Sequence, residues 1–152
     1  MFNFNFYTPT RVVFGKETEY RIGKLVKNVN CKKVLLHYGS GSVIRSGLLG
    51  RIKESLDASG VTYVELGGVV PNPRLSLVRE GIGLCRKEGV DFLLAVGGGS
   101  VIDSAKAIGY GLANDGDVWD FYEHTRQASA CLPIGVVLTI AAENTNYINM
   151  CR

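Results

Sequence analysis

The segment Ala95-Val-Gly-Gly-Gly-Ser-Val-Ile-Asp-Ser-Ala-Lys106 holds the residues of this chain whose types and spacing most clearly suit a chemical task. Three successive glycines, Gly97, Gly98 and Gly99, stand between a short apolar run and a stretch with helical spacing. Without Cβ atoms a ligand can come close to the backbone there, and a helix that starts at this point offers unpaired N–H groups and a partial positive charge. A diphosphate suits such a place. The bland alternative is a capping box in which Ser100, at the N-cap, works with Asp103. That explains Ser100 and Asp103 but not three glycines in a row, each costly in backbone entropy. The segment therefore reads as a phosphate cradle.

A second loop of small residues, Tyr38-Gly39-Ser40-Gly41-Ser42, contains G-x-G, yet Ile44 stands where the dinucleotide fingerprint G-x-G-x-x-G needs its third glycine. Taken alone it reads equally well as a turn and as a cofactor contact. Beside the first loop it would form the other wall of one cleft, wide enough for an adenosine ribose or a phosphate. In Pro71-Asn72-Pro73 each proline biases the residue before it to an extended conformation, so a rigid turn is the preferred reading, with Asn72 offering a paired donor and acceptor to a ligand as the alternative. His37 and His124 have no second His or carboxylate at ligand spacing, and both read as structural or solvated. Trp119-Asp-Phe-Tyr122 reads as an aromatic packing cluster with Asp120 as a cap.

The elements that must position these loops follow from apolar patterning. Four runs predict strands at 34–38, 61–66, 92–96 and 134–139, and the least interrupted, Phe92 to Val96 and Val136 to Ile140, are expected in the middle of the sheet. Between them Ile44, Leu48, Ile52 and Leu56 predict one helix face, Leu75, Val78, Ile82 and Cys85 a second, and Val101, Ala105, Ile108 and Leu112 a third. Upstream, Arg11 to Phe14 reads as a separate short strand, followed by a weaker helix around Ile22, Leu25 and Val26. The alternation predicts an α/β fold, a doubly wound, Rossmann-like parallel sheet, with both glycine loops at the ligand-binding carboxyl edge.

With 152 residues there is room for one compact domain, and 46% apolar with 20% charged residues excludes a disordered chain. Glycine, 19 residues in all, is in excess over average usage. The net charge of +3 is too small and too evenly spread to indicate nucleic acid or an acidic membrane surface. No apolar run approaches the roughly 18–20 residues that cross a bilayer. Cys31, Cys85, Cys131 and Cys151 show no metal-knuckle spacing, and the N-terminus lacks a basic head before an apolar run, so a cytoplasmic protein with buried thiols is expected.

Several pieces together resemble the iron-containing (group III) alcohol dehydrogenases, in particular the branch of butanol dehydrogenases and NADPH-dependent aldehyde reductases. They are Tyr7-Thr-Pro-Thr-Arg-Val-Val-Phe-Gly15, Val34 to Gly47, Pro71-Asn72-Pro73, Gly97 to Lys106, and Pro133-Ile-Gly-Val-Val-Leu-Thr139. The resemblance implies the N-terminal domain of a dehydroquinate synthase-like fold over residues 1–140. It implies that Gly97, Gly98, Gly99 and Ser100 bind the cofactor pyrophosphate, that Asp103 lies near the nicotinamide ribose, and that Thr139 lies near the cofactor. Gly39, Ser40, Gly41 and Ser42 would surround the adenosine ribose. Relatives that prefer NAD carry Asp at the position of Gly39, so the resemblance implies that NADP(H) is preferred and NAD(H) tolerated.

The likeness departs after Thr139, where the family continues with a segment of the type Ile-Pro-Ala-Ala-Gly-Ser-Glu. Here Ile140 leads instead into a divergent tail, residues 141–152. In the family a C-terminal helical domain supplies one Asp and three His to Fe2+ or Zn2+, so the chain reads as a truncated frame or gene fragment without metal or catalytic residues of its own. The expected function is the cofactor-binding part of an alcohol dehydrogenase whose relatives interconvert small alcohols and aldehydes, inactive by itself, with a homodimer as an expected assembly. The competing expectation is a stand-alone nucleotide-binding module without catalysis.

Overall fold

The structure, a computed structural model, describes residues 10–139; the first residues of the Tyr7–Gly15 match, Ile140 and the tail 141–152 lie outside them. A short 3-10 turn, Thr18–Arg21, leads into α1 (Ile22–Lys27), and then β1 (Val34–Gly39), α2 (Ser42–Arg45), α3 (Leu48–Ala58), β2 (Tyr63–Val69), α4 (Leu75–Glu88), β3 (Phe92–Gly97), α5 (Gly99–Ala113), α6 (Trp119–Tyr122) and β4 (Ile134–Leu138) follow. The strands form one parallel sheet in the order β2-β1-β3-β4. Among the described residues no helix is long and apolar enough to cross a membrane.

Side-chain alternation divides the core into two layers. Val34 and Leu36 of β1 and Phe92, Leu94 and Val96 of β3 face α1, α2 and α3, where they pack with Val26, Val43, Leu49, Ile52 and Leu56. Leu35, Leu93 and Ala95 point the other way, onto Val78, Ile82 and Cys85 of α4 and Val101, Ala105 and Ile108 of α5. Each fully buried Leu or Ile contributes roughly 1.5–3 kcal/mol relative to exposure, which is why two strands without a polar face can anchor helices on both sides. Burial pushes the Cys85 thiol up to about 12, so it behaves as a small apolar core residue.

Four local expectations are corrected. The central strands are β1 and β3; β4, expected near the middle, has only β3 beside it among the described residues, and Leu138 is exposed. Arg11 to Phe14 forms no strand, because nothing described pairs with it: Val12 is 73% and Phe14 99% exposed. The face drawn through Ile44 is broken, since Gly47 at φ 72° ends one helix and begins the next, leaving Ile44 51% exposed while Val43 takes the buried position. Around α6 it is Asp117, not Asp120, that caps, accepting the Trp119 N–H at 2.8 Å; Asp120 instead pairs with Arg126 at 3.4 Å.

The polar residue inside β1 is fully satisfied. His37 donates from Nδ1 to the Leu66 carbonyl at 2.8 Å, which fixes the tautomer, so Nε2 accepts from the Ser104 hydroxyl, also at 2.8 Å. One imidazole thus ties β1 to β2 and to α5, beside the point where β2 carries one residue more than β1. Burial, opposed weakly by the Leu66 hydrogen bond, holds the His37 pKa below its ordinary 6.5. As pH falls through that region the unfolded chain takes up the proton first, so the stability His37 contributes is complete above about 6.5 and lost as pH drops through its lower folded value. Denaturant titrations between pH 8 and 5 are expected to show this loss, and His37→Gln should flatten it. His37→Ala should cost on the order of 2 kcal/mol or more, because it leaves two buried polar groups without a partner.

Candidate dinucleotide-binding site

Because β1 and β3 are parallel and adjacent, with Tyr38 opposite Val96, their carboxyl ends deliver Gly39 and Gly97 to the same edge of the sheet. The chain winds from β1 outward to β2 through α3 on one face, then back across β1 to β3 through α4 on the other. At such a reversal the flanking helices diverge and a crevice opens at the carboxyl ends of the strands.

Val101 lies against both glycine loops at this edge. A Cβ on Gly39 would lie 3.8 Å from Val101 Cγ2 and 3.6 Å from the Val69 carbonyl oxygen, and one on Gly97 would lie only 2.5 Å from Val101 Cγ2. The ends of β1 and β3 therefore meet the first turn of α5 around one side chain, and both this packing and a φ of 157° call for glycine at 97. Gly98 is different. Its φ of −96° and ψ of −164° suit any residue, and nothing in the protein lies within 4 Å of a Cβ placed on it. The space above its backbone is open, and a side chain there would fill the cradle.

The helix start departs from the expected capping box. The N–H groups of Val101 and Ile102 both donate to the Gly98 carbonyl, at 3.1 and 3.2 Å, so Gly98 is the N-cap and Ser100 the second residue of α5. The backbone turn at Gly98 closes the helix without a side chain, which leaves the Ser100 hydroxyl unbonded among the described residues. Thr139 reaches the same loop, its N–H donating to the Gly97 carbonyl at 3.2 Å. Asp103 is exposed one turn further on; its carboxylate helps hold the Tyr122 phenol above its ordinary pKa, after the larger effect of burial.

The other wall is formed by Gly39, Ser40, Gly41 and Ser42, which join β1 to α2. Neither serine hydroxyl is bonded to the protein among the described residues. Asn72 lies beyond the end of β2 at the same edge, with its side chain exposed; its φ of 59° is left-handed rather than the extended conformation expected before a proline, a position Asn tolerates better than most residues. Sequence reasoning missed Val101 as the meeting point, and the pin made by His37 and Ser104. A valine in an apolar helix face and a lone histidine carry no signal until the strand order is known.

A cavity of about 620 Å3 lies elsewhere, lined by Arg86, Asn114, Asp115 and Arg126 among others. It sits at the far end of α5, whose 15 residues span about 22 Å. Its guanidinium groups donate to the carbonyls of Gly111 and Asp115, so they cap helix and loop ends rather than await a ligand. The open edge is where the small residues and free donors converge. A metal has no place among the described residues: no three His, Cys, Asp or Glu side chains are grouped to hold one, and both nitrogens of His37 are engaged.

Comparison with known proteins decides the lineage. The sequence model of the family described as "Iron-containing alcohol dehydrogenase" matches residues 9–150. The chain belongs to that family. It is 50% identical over 142 residues to a probable NADH-dependent butanol dehydrogenase 2 of Bacillus subtilis, an alignment that covers 93% of this chain and 36% of that protein. It is 36% identical over 145 residues to the NADPH-dependent aldehyde reductase YqhD of Escherichia coli, again over 93% of this chain and 36% of the relative. Its fold superposes with a TM-score of 0.89 and 46% identity on a crystal structure of NADH-dependent butanol dehydrogenase A from Thermotoga maritima, covering 92% of this chain and 35% of that one. The chain thus spans about 36% of the length of the curated relatives it matches.

The two glycines give opposite expectations. Gly98→Ala should cost no more than about 1 kcal/mol, the loss of a favourable N-cap residue, since a Cβ there meets no protein atom within 4 Å, yet weaken dinucleotide binding at least about tenfold. Gly97→Ala should instead lower stability by about 1–3 kcal/mol through its clash with Val101. Thermal melts paired with fluorescence titrations of NADH or NADPH separate the two effects.

Proposed function

We propose that residues 1–140 are the nicotinamide-dinucleotide-binding domain of an NAD(P)-dependent alcohol or aldehyde dehydrogenase, followed by a divergent tail at 141–152. The observation that carries this reading is the open backbone of Gly98 at the winding reversal, a glycine that no packing contact and no left-handed φ requires. In this reading the N–H groups at the start of α5, with Gly97, Gly98, Gly99 and Ser100, hold the pyrophosphate. Asp103 and Thr139 border the nicotinamide ribose, Gly39 to Ser42 enclose the adenosine ribose, and Asn72 borders the same edge. When bound, the nicotinamide supplies the hydride carrier; this chain's own residues bind and orient it.

The names of the relatives divide between NADH-dependent and NADPH-dependent proteins. The Gly39 loop favours NADP(H), because it holds no carboxylate to repel a 2′-phosphate and offers the Ser40 and Ser42 hydroxyls. Small alcohols and aldehydes, of which butanol and butanal are examples, are the proposed substrates of the complete enzyme, with a homodimer as its assembly. The free thiols of Cys31, Cys85 and Cys131 fit a reducing cytoplasm.

A polypeptide of these 152 residues, supplied with Fe2+ or Zn2+, NADPH and butanal, is expected to show no nicotinamide oxidation above a metal-only blank. Loss of a Lewis acid removes several kcal/mol of transition-state stabilisation, on the order of a thousandfold in rate. Turnover would place the catalytic groups inside the chain and overturn the assignment. Gly39→Asp should shift binding towards NADH; a selectivity unchanged in paired titrations would remove Gly39 from the adenosine site.

A further inference from the structure

We infer that Arg45 is the residue that recognises a phosphate on the 2′-position of the adenosine ribose, an assignment that rests on the cofactor-site reading above and names what sets its preference. The Arg45 N–H donates to the Gly41 carbonyl at 3.1 Å, which fixes Arg45 one helical turn beyond the glycine loop. Its side chain then doubles back over that loop. Nη1, Nη2 and Cζ lie 3.1, 3.2 and 3.5 Å from where a Cβ on Gly41 would stand, so the guanidinium rests on the bare backbone of Gly41 and any side chain at 41 would push it away.

The guanidinium has no competing commitment. Among the described residues Arg45 makes no ion pair and no side-chain hydrogen bond, which it shares with Arg11, Arg21 and Arg74, but of these four only Arg45 lies over the Gly39–Ser42 loop. Residues 38–46 contain no Asp or Glu. Glu65, whose carboxylate accepts from the hydroxyl of neighbouring Tyr38 at 3.1 Å, is neutralised by Lys53 at 2.7 Å. The loop therefore presents a planar cation and the hydroxyls of Ser40 and Ser42 with no carboxylate of its own. A ribose 2′-hydroxyl is best held by a carboxylate acceptor, which is missing, while a 2′-phosphate is matched by a guanidinium that can donate two parallel hydrogen bonds. The missing Cβ at Gly41 leaves that group room to lie over the loop.

The test compares the unmutated 152-residue chain with Arg45→Gln and Arg45→Lys, each titrated with NADPH and with NADH by nicotinamide fluorescence, at low and at moderate salt. Arg45→Gln is expected to weaken NADPH binding about tenfold or more, as loss of a charge-assisted contact does, and to change NADH binding less than about twofold. Arg45→Lys should fall between, keeping the charge but not the fork, and NADPH binding by the unmutated chain should be the more salt-sensitive of the two. Equal loss of both cofactors, no loss of either, or an unmutated chain that prefers NADH would overturn the role of Arg45 alone. An unmutated chain that binds neither would overturn the cofactor-site reading, and this assignment with it.

Discussion

The parallel pairing of β1 with β3 governs everything at the carboxyl edge. Neither strand has a face left for water: Val34, Leu36, Phe92, Leu94 and Val96 are consumed by one helical layer, Leu35, Leu93 and Ala95 by the other. Two such strands are stable only when helices cover both sides, and covering both sides from a single chain requires the winding direction to reverse between them. The reversal opens the crevice, and the crevice fixes where a ligand can reach backbone. The exposed backbone at this edge is a by-product of how a fully buried sheet centre has to be wrapped.

The same constraint explains the side chains around the opening. The ends of β1 and β3 meet the helix start at Val101, which leaves no room for a Cβ at Gly97 while Gly39 could carry one in ordinary contact. His37 would be a costly residue at the sheet centre if either nitrogen were unpaired, yet it links β2 and α5 to β1 just below the loop that follows. Packing thus accounts for Gly97, and the polar network accounts for His37 and Ser104. Gly98, Ser40, Ser42 and Arg45 are left over, and these are the groups that face outward.

Much of this was legible in the sequence because parallel buried strands are written as short uninterrupted apolar runs. The four strands lie where those runs predict, within one to three residues at their ends, and both glycine loops fall on one edge. What misled was local composition standing in for neighbourhood. β1 seemed less central because it contains His37 and Tyr38, and β4 more central because Val136, Val137 and Leu138 are apolar; burial depends on what lies beyond the strand. Arg11 to Phe14 has strand composition but finds no described partner. At the cradle, serine's preference for the cap position points to Ser100, whereas the Gly98 carbonyl accepts the first helical N–H groups two residues earlier. The place of the loop at the carboxyl edge was readable; which of its glycines packing requires was not, because that depends on where Val101 lies.

The chain belongs to the iron-containing alcohol dehydrogenase family and spans about 36% of the length of the curated relatives it matches. The central claim is narrower: the crevice between β1 and β3 takes a nicotinamide dinucleotide. Its most direct test is an amide-resolved NMR titration of the 15N-labelled chain with NADPH. The account predicts saturable shifts confined to Gly39–Ser42, Gly98–Asp103 and Thr139, the residues at the carboxyl edge. Saturable shifts around Arg86, Asn114 and Arg126, in the cavity at the far end of α5, or no saturable shift at all, would contradict it.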